Sequence, residues 1–144
     1  MKLRVIAIGR CRDAALRALG DQYIRRINKD AQAELIEIDR KGRDACRRIL
    51  KIITPRDHVV ALDEKGRTFT SESFARHLER LLMGCERVVF LIGEAEGLPR
   101  ELSDVVKEKL SLSPMTLQHD MARIVFLEQL YRAFSILRGE PYHK

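Results

Sequence analysis

Two loops in the last third of the chain hold the residue types from which a small-molecule site can be built. The first, residues 93–98, reads Gly-Glu-Ala-Glu-Gly-Leu and follows the apolar run from Val88 to Ile92. Glycine at Gly93 and Gly97 permits a tight turn and lets a ligand approach the backbone closely. A side chain at Gly93 is therefore expected to fill ligand space. The second loop is built from Leu112, Ser113, Pro114, Met115, Thr116, Leu117 and Gln118. Pro114 stiffens it, Ser113 and Thr116 bring hydroxyls, and Leu112, Met115 and Leu117 could wall an adenine. Backbone N–H and C=O groups in such a loop can read a purine edge without charged residues.

Neither loop is specific alone. The Gly-x-x-x-Gly spacing lacks the dinucleotide fingerprint, and no Gly-Lys-Ser/Thr follows it. A plain strand–helix turn would account for the first loop. The pairing carries the argument, because an open α/β sheet takes its ligand where loops leave the ends of neighbouring strands. No Ser-His-Asp set, paired carboxylates or metal cluster stands out. His58 begins a strand, His77 lies mid-helix and His119 opens a helix, so structural roles come first for all three. The closing Pro141-Tyr142-His143-Lys144 is different. Terminal residues are normally mobile, and nothing structural asks for Pro-Tyr-His there.

These loops need a scaffold, and hydrophobic periodicity supplies one. Strands are predicted at residues 2–8, 35–38, 58–62, 88–92 and 109–113, with 63–66 as the turn ending the third. Helices are predicted at 13–28, 44–53, 70–83, 119–137 and, opened by Pro99, in the segment before the last strand. The alternation implies a single α/β domain over residues 1–144, its mostly parallel sheet covered by helices on both faces. The last helix is apolar nearly all round, from Met121 to Leu137. One small sheet covers one side of it, so the other side is expected to pack on a second copy of the chain, a homodimer.

The chain has 144 residues, 45% of them hydrophobic and 33% charged, and a net charge of +6. No apolar run approaches the ~20 residues that cross a bilayer, and the N-terminus lacks a signal-peptide pattern. Cys11, Cys46 and Cys85 are far apart and read as reduced thiols. A cytoplasmic protein with no membrane association is expected. The charge is lopsided: residues 1–56 hold fifteen Lys or Arg against seven Asp or Glu, a balance of +8, and the remainder holds −2. Arginine forks suit phosphate, so this half reads either as a polyanion surface or as solvated helix faces.

The chain closely resembles the ribosomal RNA large subunit methyltransferase H family, pseudouridine N3-methyltransferases of the SPOUT superfamily. The resemblance spans nearly the whole chain. Its strongest parts are Met1-Lys2-Leu3, residues 34–38, Leu91-Ile92-Gly93 with Glu96-Gly97-Leu98, Ser111-Leu112-Ser113, Met115-Thr116-Leu117, His119, Arg123, residues 128–133 and Pro141-Tyr142-His143. It implies a C-terminal trefoil knot, a homodimer, S-adenosylmethionine as methyl donor and no metal. The family's cofactor loops fall on Leu62, Gly93 and residues 112–118. The implied substrate is a pseudouridine in large-subunit rRNA, methylated on the assembled ribosome. Arg43, Arg47 and Arg48, with Arg123, are the expected RNA contacts. His143, Tyr142 and Arg132 are the expected catalytic groups, and residues 138–144 a functional tail. One position departs from the family's Ile-Gly-Gly: Glu94 stands at the second glycine. Its carboxylate could meet the cofactor's ribose or point to solvent, and solvent is the expectation. Two rivals remain open, a non-catalytic ribosome-binding factor of the same fold and a SPOUT methyltransferase acting on another RNA.

Overall fold

The computed structural model describes residues 1–39, 44–94 and 97–143. Five strands, β1 (Lys2–Ile8), β2 (Gln32–Ile38), β3 (Asp57–Thr68), β4 (Arg87–Ile92) and β5 (Glu108–Ser111), form one sheet in the order β2-β1-β4-β3-β5. Every pairing is parallel. The helices are α1 (Ala14–Ile27), α2 (Asp44–Ile52), α3 (Ser71–Gly84) and α4 (His119–Arg138). Asp13 caps α1 by accepting from the N–H groups of Ala15 and Leu16. Thr70 and Ser73 form a reciprocal capping box on α3.

Alternation along the strands sends side chains to two apolar layers. Leu3, Val5, Val88 and Phe90 face α1, α3 and α4, whereas Ile6, Val59, Val89 and Leu91 face α2 and the segment before β5. The sheet is thus covered on both faces. Asp57, 3% exposed, begins β3 and accepts both Arg87 Nε and Nη2 (2.9 and 2.7 Å), which pins the start of β3 to that of β4.

Three elements differ from the sequence expectation. Residues 63–66 do not end β3. They form an irregularity inside it, with the register against β5 shifting between Leu62 and Arg67. Gly66 makes this possible, because a Cβ there would lie 2.6 Å from the Lys109 carbonyl carbon. Pro99 opens only a 3-10 turn, Arg100–Leu102. The chain must travel from the end of β4 back to the start of β5. Ten helical residues reach about 15 Å, against about 20 Å for a six-residue strand, so an extended path is required. Third, α4 lies between α1 and α3 and buries Ile124, Phe126, Leu127, Leu130, Ala133 and Phe134 within one chain. Most of its apolarity therefore needs no partner.

At the base of β5, Glu108 receives His77 Nε2 at 2.6 Å and lies 3.3 Å from His58 Nε2. Burial pushes this carboxyl up, but the two histidines outweigh burial and hold it below its usual 4.5. A carboxyl depressed by folding contributes stability above its unfolded pKa and loses it as pH falls through the folded one. Glu108→Gln should cost about 1 kcal/mol at pH 7. That deficit should shrink as the medium is acidified below the ordinary 4.5, measured by denaturant melts across pH. A pH-independent deficit would contradict this.

Candidate active site

A cavity of about 970 Å³ opens at the C-terminal ends of β3, β4 and β5. Its walls come from Ala61 to Lys65, from the turn after β4, and from the loop after β5 running into α4. Of the expected ligand residues, Leu62, Gly93, Leu112, Ser113, Met115, Thr116, Leu117 and Gln118 all line it, and Pro114 does not. Sequence reasoning missed Lys65 and Ala122 and put a structural role first for His119, and all three also line it. Lys65 was missed because residues 63–66 read as an ordinary turn. Ala122 carries no chemistry of its own and is placed only by the entry of α4.

The turn after β4 closes on itself. Gly97 N–H donates to the Glu94 carbonyl (2.8 Å), and Gly97 has φ +84°. A Cβ on Gly93 would lie 2.7 Å from the carbonyl carbon and oxygen of Gly97. Glycine is required here because the turn's own backbone fills the space, which corrects the expectation that a side chain would intrude on the ligand. The Glu94 side chain is half-buried rather than solvent-directed. It lines the cavity and packs on Gly9, where a Cβ would sit 3.3 Å from its Oε1.

The loop after β5 is shaped by its own hydroxyls. Ser111 Oγ–H donates to the Ser113 carbonyl (3.1 Å), and Ser113 Oγ accepts from Met115 N–H (2.9 Å). Gln118 caps α4 by accepting from Met121 N–H. These bonds leave the loop's backbone and the apolar faces of Leu112 and Leu117 to meet a ligand. The apolar faces of Leu112 and Leu117, with backbone donors and acceptors and a glycine turn beside them, suit an adenosine-bearing cofactor. Among the described residues no cluster of His, Cys, Asp or Glu is arranged to hold a metal.

The three expected catalytic residues are brought together, but away from this cavity. Arg132 grips Glu128 through Nε and Nη2 (3.0 and 2.5 Å), and Tyr142 O–H donates to the same carboxylate (3.1 Å). Arg132 Nη1 donates to His143 Nδ1 (3.1 Å), so the His143 proton sits on Nε2, which donates to Glu72 (2.7 Å). The hydrogen bond to Glu128 raises the Arg132 pKa further. Burial, with Tyr23 and Glu128 beside it, pushes the Tyr142 phenol well up. Arg132 can act as a cation and Tyr142 as a hydrogen-bond donor. His143 Nδ1 is the ring nitrogen without a proton, and Arg132 occupies its lone pair. None of the three lines the cavity of its own chain.

The expected RNA contacts separate. Arg47 and Arg48 are exposed on α2 beside Lys51. Arg43 lies outside the described residues. Arg123 is 2% exposed and spent on Glu37 and the Gly9 carbonyl, so its assignment as a phosphate contact is corrected. Elsewhere in the basic half, Arg4 pairs with Glu34 and Arg17 with Glu37, so part of the excess is internal.

A parallel five-stranded sheet covered by helices on both faces, with this cavity at its C-terminal edge, is an open α/β architecture that takes a ligand where loops leave the strand ends. A family model described as predicted SPOUT methyltransferase matches residues 1–143, and the chain belongs to that family. Curated relatives bearing the name ribosomal RNA large subunit methyltransferase H place it within that particular branch. The protein of that name from Anaeromyxobacter sp. (strain Fw109-5) is 40% identical, covering 100% of both chains. That from Nitratidesulfovibrio vulgaris (strain DP4) is 42% identical over 98% of this chain and 97% of its own. A solved structure, a probable methylase family protein from Haemophilus influenzae Rd KW20, superposes with a TM-score of 0.59 at 12% identity. It covers 95% of this chain and 66% of its own, and shows likeness of fold.

Proposed function

We propose that this chain methylates N3 of a pseudouridine in large-subunit rRNA on the assembled ribosome, with S-adenosylmethionine as donor. The observation that carries the reading is the cavity at the ends of β3, β4 and β5, walled by the segments to which the resemblance assigns the cofactor. Leu62, the Gly93–Gly97 turn and residues 112–118 would hold the cofactor, which supplies an electrophilic methyl on a sulfonium. The cofactor's family supports this, as do relatives whose names state action on large-subunit rRNA. Trefoil threading belongs to the same proposal. It is supported by β5 lying beyond β3 while its following loop returns to the turn after β4. A cytoplasmic location follows from a ribosomal substrate. No helix among the described residues is long and apolar enough to cross a membrane.

The chain's task is to hold the imide nitrogen in line with the methyl and to ease loss of its proton. If that proton has a pKa of about 9, removing it at pH 7 costs about 2.7 kcal/mol. Arg132 would stabilise the developing oxyanion, and His143 would accept the proton at Nδ1 once Arg132 has left that nitrogen for the oxyanion. Because both lie outside their own chain's cavity, they would serve the cavity of a second copy. Met115 and Leu117 of the cavity wall, with Met121 of α4, are exposed at 77%, 36% and 45%, and are the apolar side chains on which that copy would pack. Sedimentation should give twice the chain mass at micromolar concentration. A monomer that still methylates ribosomes would contradict the shared site.

Arg47 and Arg48 would contact rRNA phosphates. Replacing both with Glu should weaken ribosome binding several-fold and flatten its salt dependence by about two counterions, leaving cofactor affinity unchanged. A full salt slope would move the RNA surface elsewhere.

The function is tested by incubating ribosomes that lack the modification with methyl-labelled S-adenosylmethionine and mapping the label. Label at N3 of one pseudouridine in large-subunit rRNA is expected. Label elsewhere would favour a related enzyme on another RNA. Ribosome binding without transfer would favour the binding factor.

A further inference from the structure

Arg123 lies in the second turn of α4, directly after the loop that walls the cavity, and its guanidinium is buried. Nη1 donates to Glu37 Oε2 at 2.7 Å, and Nη2 donates to the Gly9 carbonyl at 3.0 Å. Glu37 Oε2 also accepts Cys11 N–H at 2.7 Å, and Arg17 Nη2 donates to the Cys11 carbonyl at 2.9 Å. One guanidinium therefore ties the start of α4 to the ends of β1 and β2. Both things it ties are next to the cavity. Gln118, His119 and Ala122 of the α4 entry line it. Gly9 packs against the side chain of Glu94, the residue that opens the glycine turn after β4 in another part of the cavity lining.

We propose that Arg123 is a positioning residue for cofactor binding: by holding α4 to the β1 loop it sets the separation of two walls of the cavity. This rests on the reading of the cavity as the S-adenosylmethionine site. The physical basis is geometric. A buried guanidinium donates along two fixed directions at once, to a carboxylate and to a backbone carbonyl. A lysine ammonium keeps the charge but cannot hold both partners in that geometry. The chain would stay folded with the walls no longer fixed to each other.

Titration of S-adenosylmethionine and S-adenosylhomocysteine into the wild-type chain, Arg123→Lys and Glu37→Gln tests this, beside thermal melts and steady-state kinetics. Arg123→Lys should remain folded and lose affinity for both ligands by about tenfold or more, since small displacements of a binding geometry are costly. KM for S-adenosylmethionine should rise by a similar factor. KM for ribosomes, the salt slope and kcat at saturating cofactor should hold within about twofold. Glu37→Gln should give a smaller loss in the same direction. The double variant should be about as weak as Arg123→Lys alone, well short of the sum of the two losses, because both act on one tie. A lower melting temperature with wild-type affinity in both variants would reduce Arg123 to a stability element and overturn the proposal. A changed salt slope with unchanged cofactor affinity would make it an RNA contact and overturn it equally. If Arg123→Lys does not fold, Glu37→Gln decides alone. Absence of binding by the wild-type chain would remove the cofactor reading itself and, with it, this role. Wild-type binding with unaltered variants would remove only the role.

Discussion

Gly93→Ala and Gly93→Val are both expected to lose S-adenosylmethionine binding by about a hundredfold, the penalty for a misplaced binding geometry. The two variants matter together. Were Gly93 needed only to leave room for a ligand, alanine would be tolerated far better than valine. In the fold, the first carbon of any side chain already meets the Gly97 carbonyl carbon and oxygen at 2.7 Å and the Leu98 nitrogen at 3.0 Å. All three are backbone atoms and cannot rotate away. The turn must open, breaking the Gly97 N–H to Glu94 carbonyl bond and displacing one wall of the cavity. β4 itself is buried between β1 and β3, so the sheet should survive. Circular dichroism should stay near native, and the melting temperature should fall by several degrees. Calorimetry measures the affinity. Alanine binding like wild type would show that the turn can relax and that the glycine is not required.

Removing residues 141–144 should cut methylation of ribosomes at least tenfold, or about 1.4 kcal/mol in the barrier. The tail is not the loose end that the sequence suggests. Tyr142 meets Tyr131 edge to face at 4.8 Å between ring centres, bonds to Glu128, and is followed by His143 between Arg132 and Glu72. An aromatic pair and exchanged polar contacts of this kind are worth about 2 kcal/mol together. The truncated chain should therefore melt roughly 5 °C lower. Cofactor affinity should change little, because none of these residues lines the cavity of its own chain. His143→Ala should reproduce part of the loss in turnover with less effect on melting. Full turnover in the truncated chain would leave the tail a structural strap and move the search for a proton acceptor to His119, which lines the cavity.

The five strands and the four α-helices were legible because their apolar residues repeat with period two or 3.6, whereas the helix expected after Pro99 is only a 3-10 turn. Val88 to Ile92 could hardly be anything but a buried strand, and the Asp13 and Thr70 caps mark their helices from composition alone. Strand order was not legible. In β2-β1-β4-β3-β5 every pairing but β1–β2 and β3–β4 joins segments distant in sequence, and no local pattern encodes which edge a strand takes. The cavity residues were largely legible as two glycine- and proline-marked loops. What the sequence hid was how side chains are spent. Arg123 looks like one basic residue among many until Glu37 and Gly9, far away in sequence, are found around its guanidinium. Likewise the apolar face of α4 reads as a surface for a partner, yet α1 and α3 take up most of it.

The central claim, that the cavity at the ends of β3, β4 and β5 is a methyl-donor site, is tested most directly by calorimetric titration of S-adenosylmethionine into the wild-type chain. Saturable binding of one cofactor per site is predicted, weakened about a hundredfold by Gly93→Ala and competed by S-adenosylhomocysteine. A chain that binds ribosomes but gives no heat with either ligand would contradict the account and leave a non-catalytic ribosome-binding factor of the same fold.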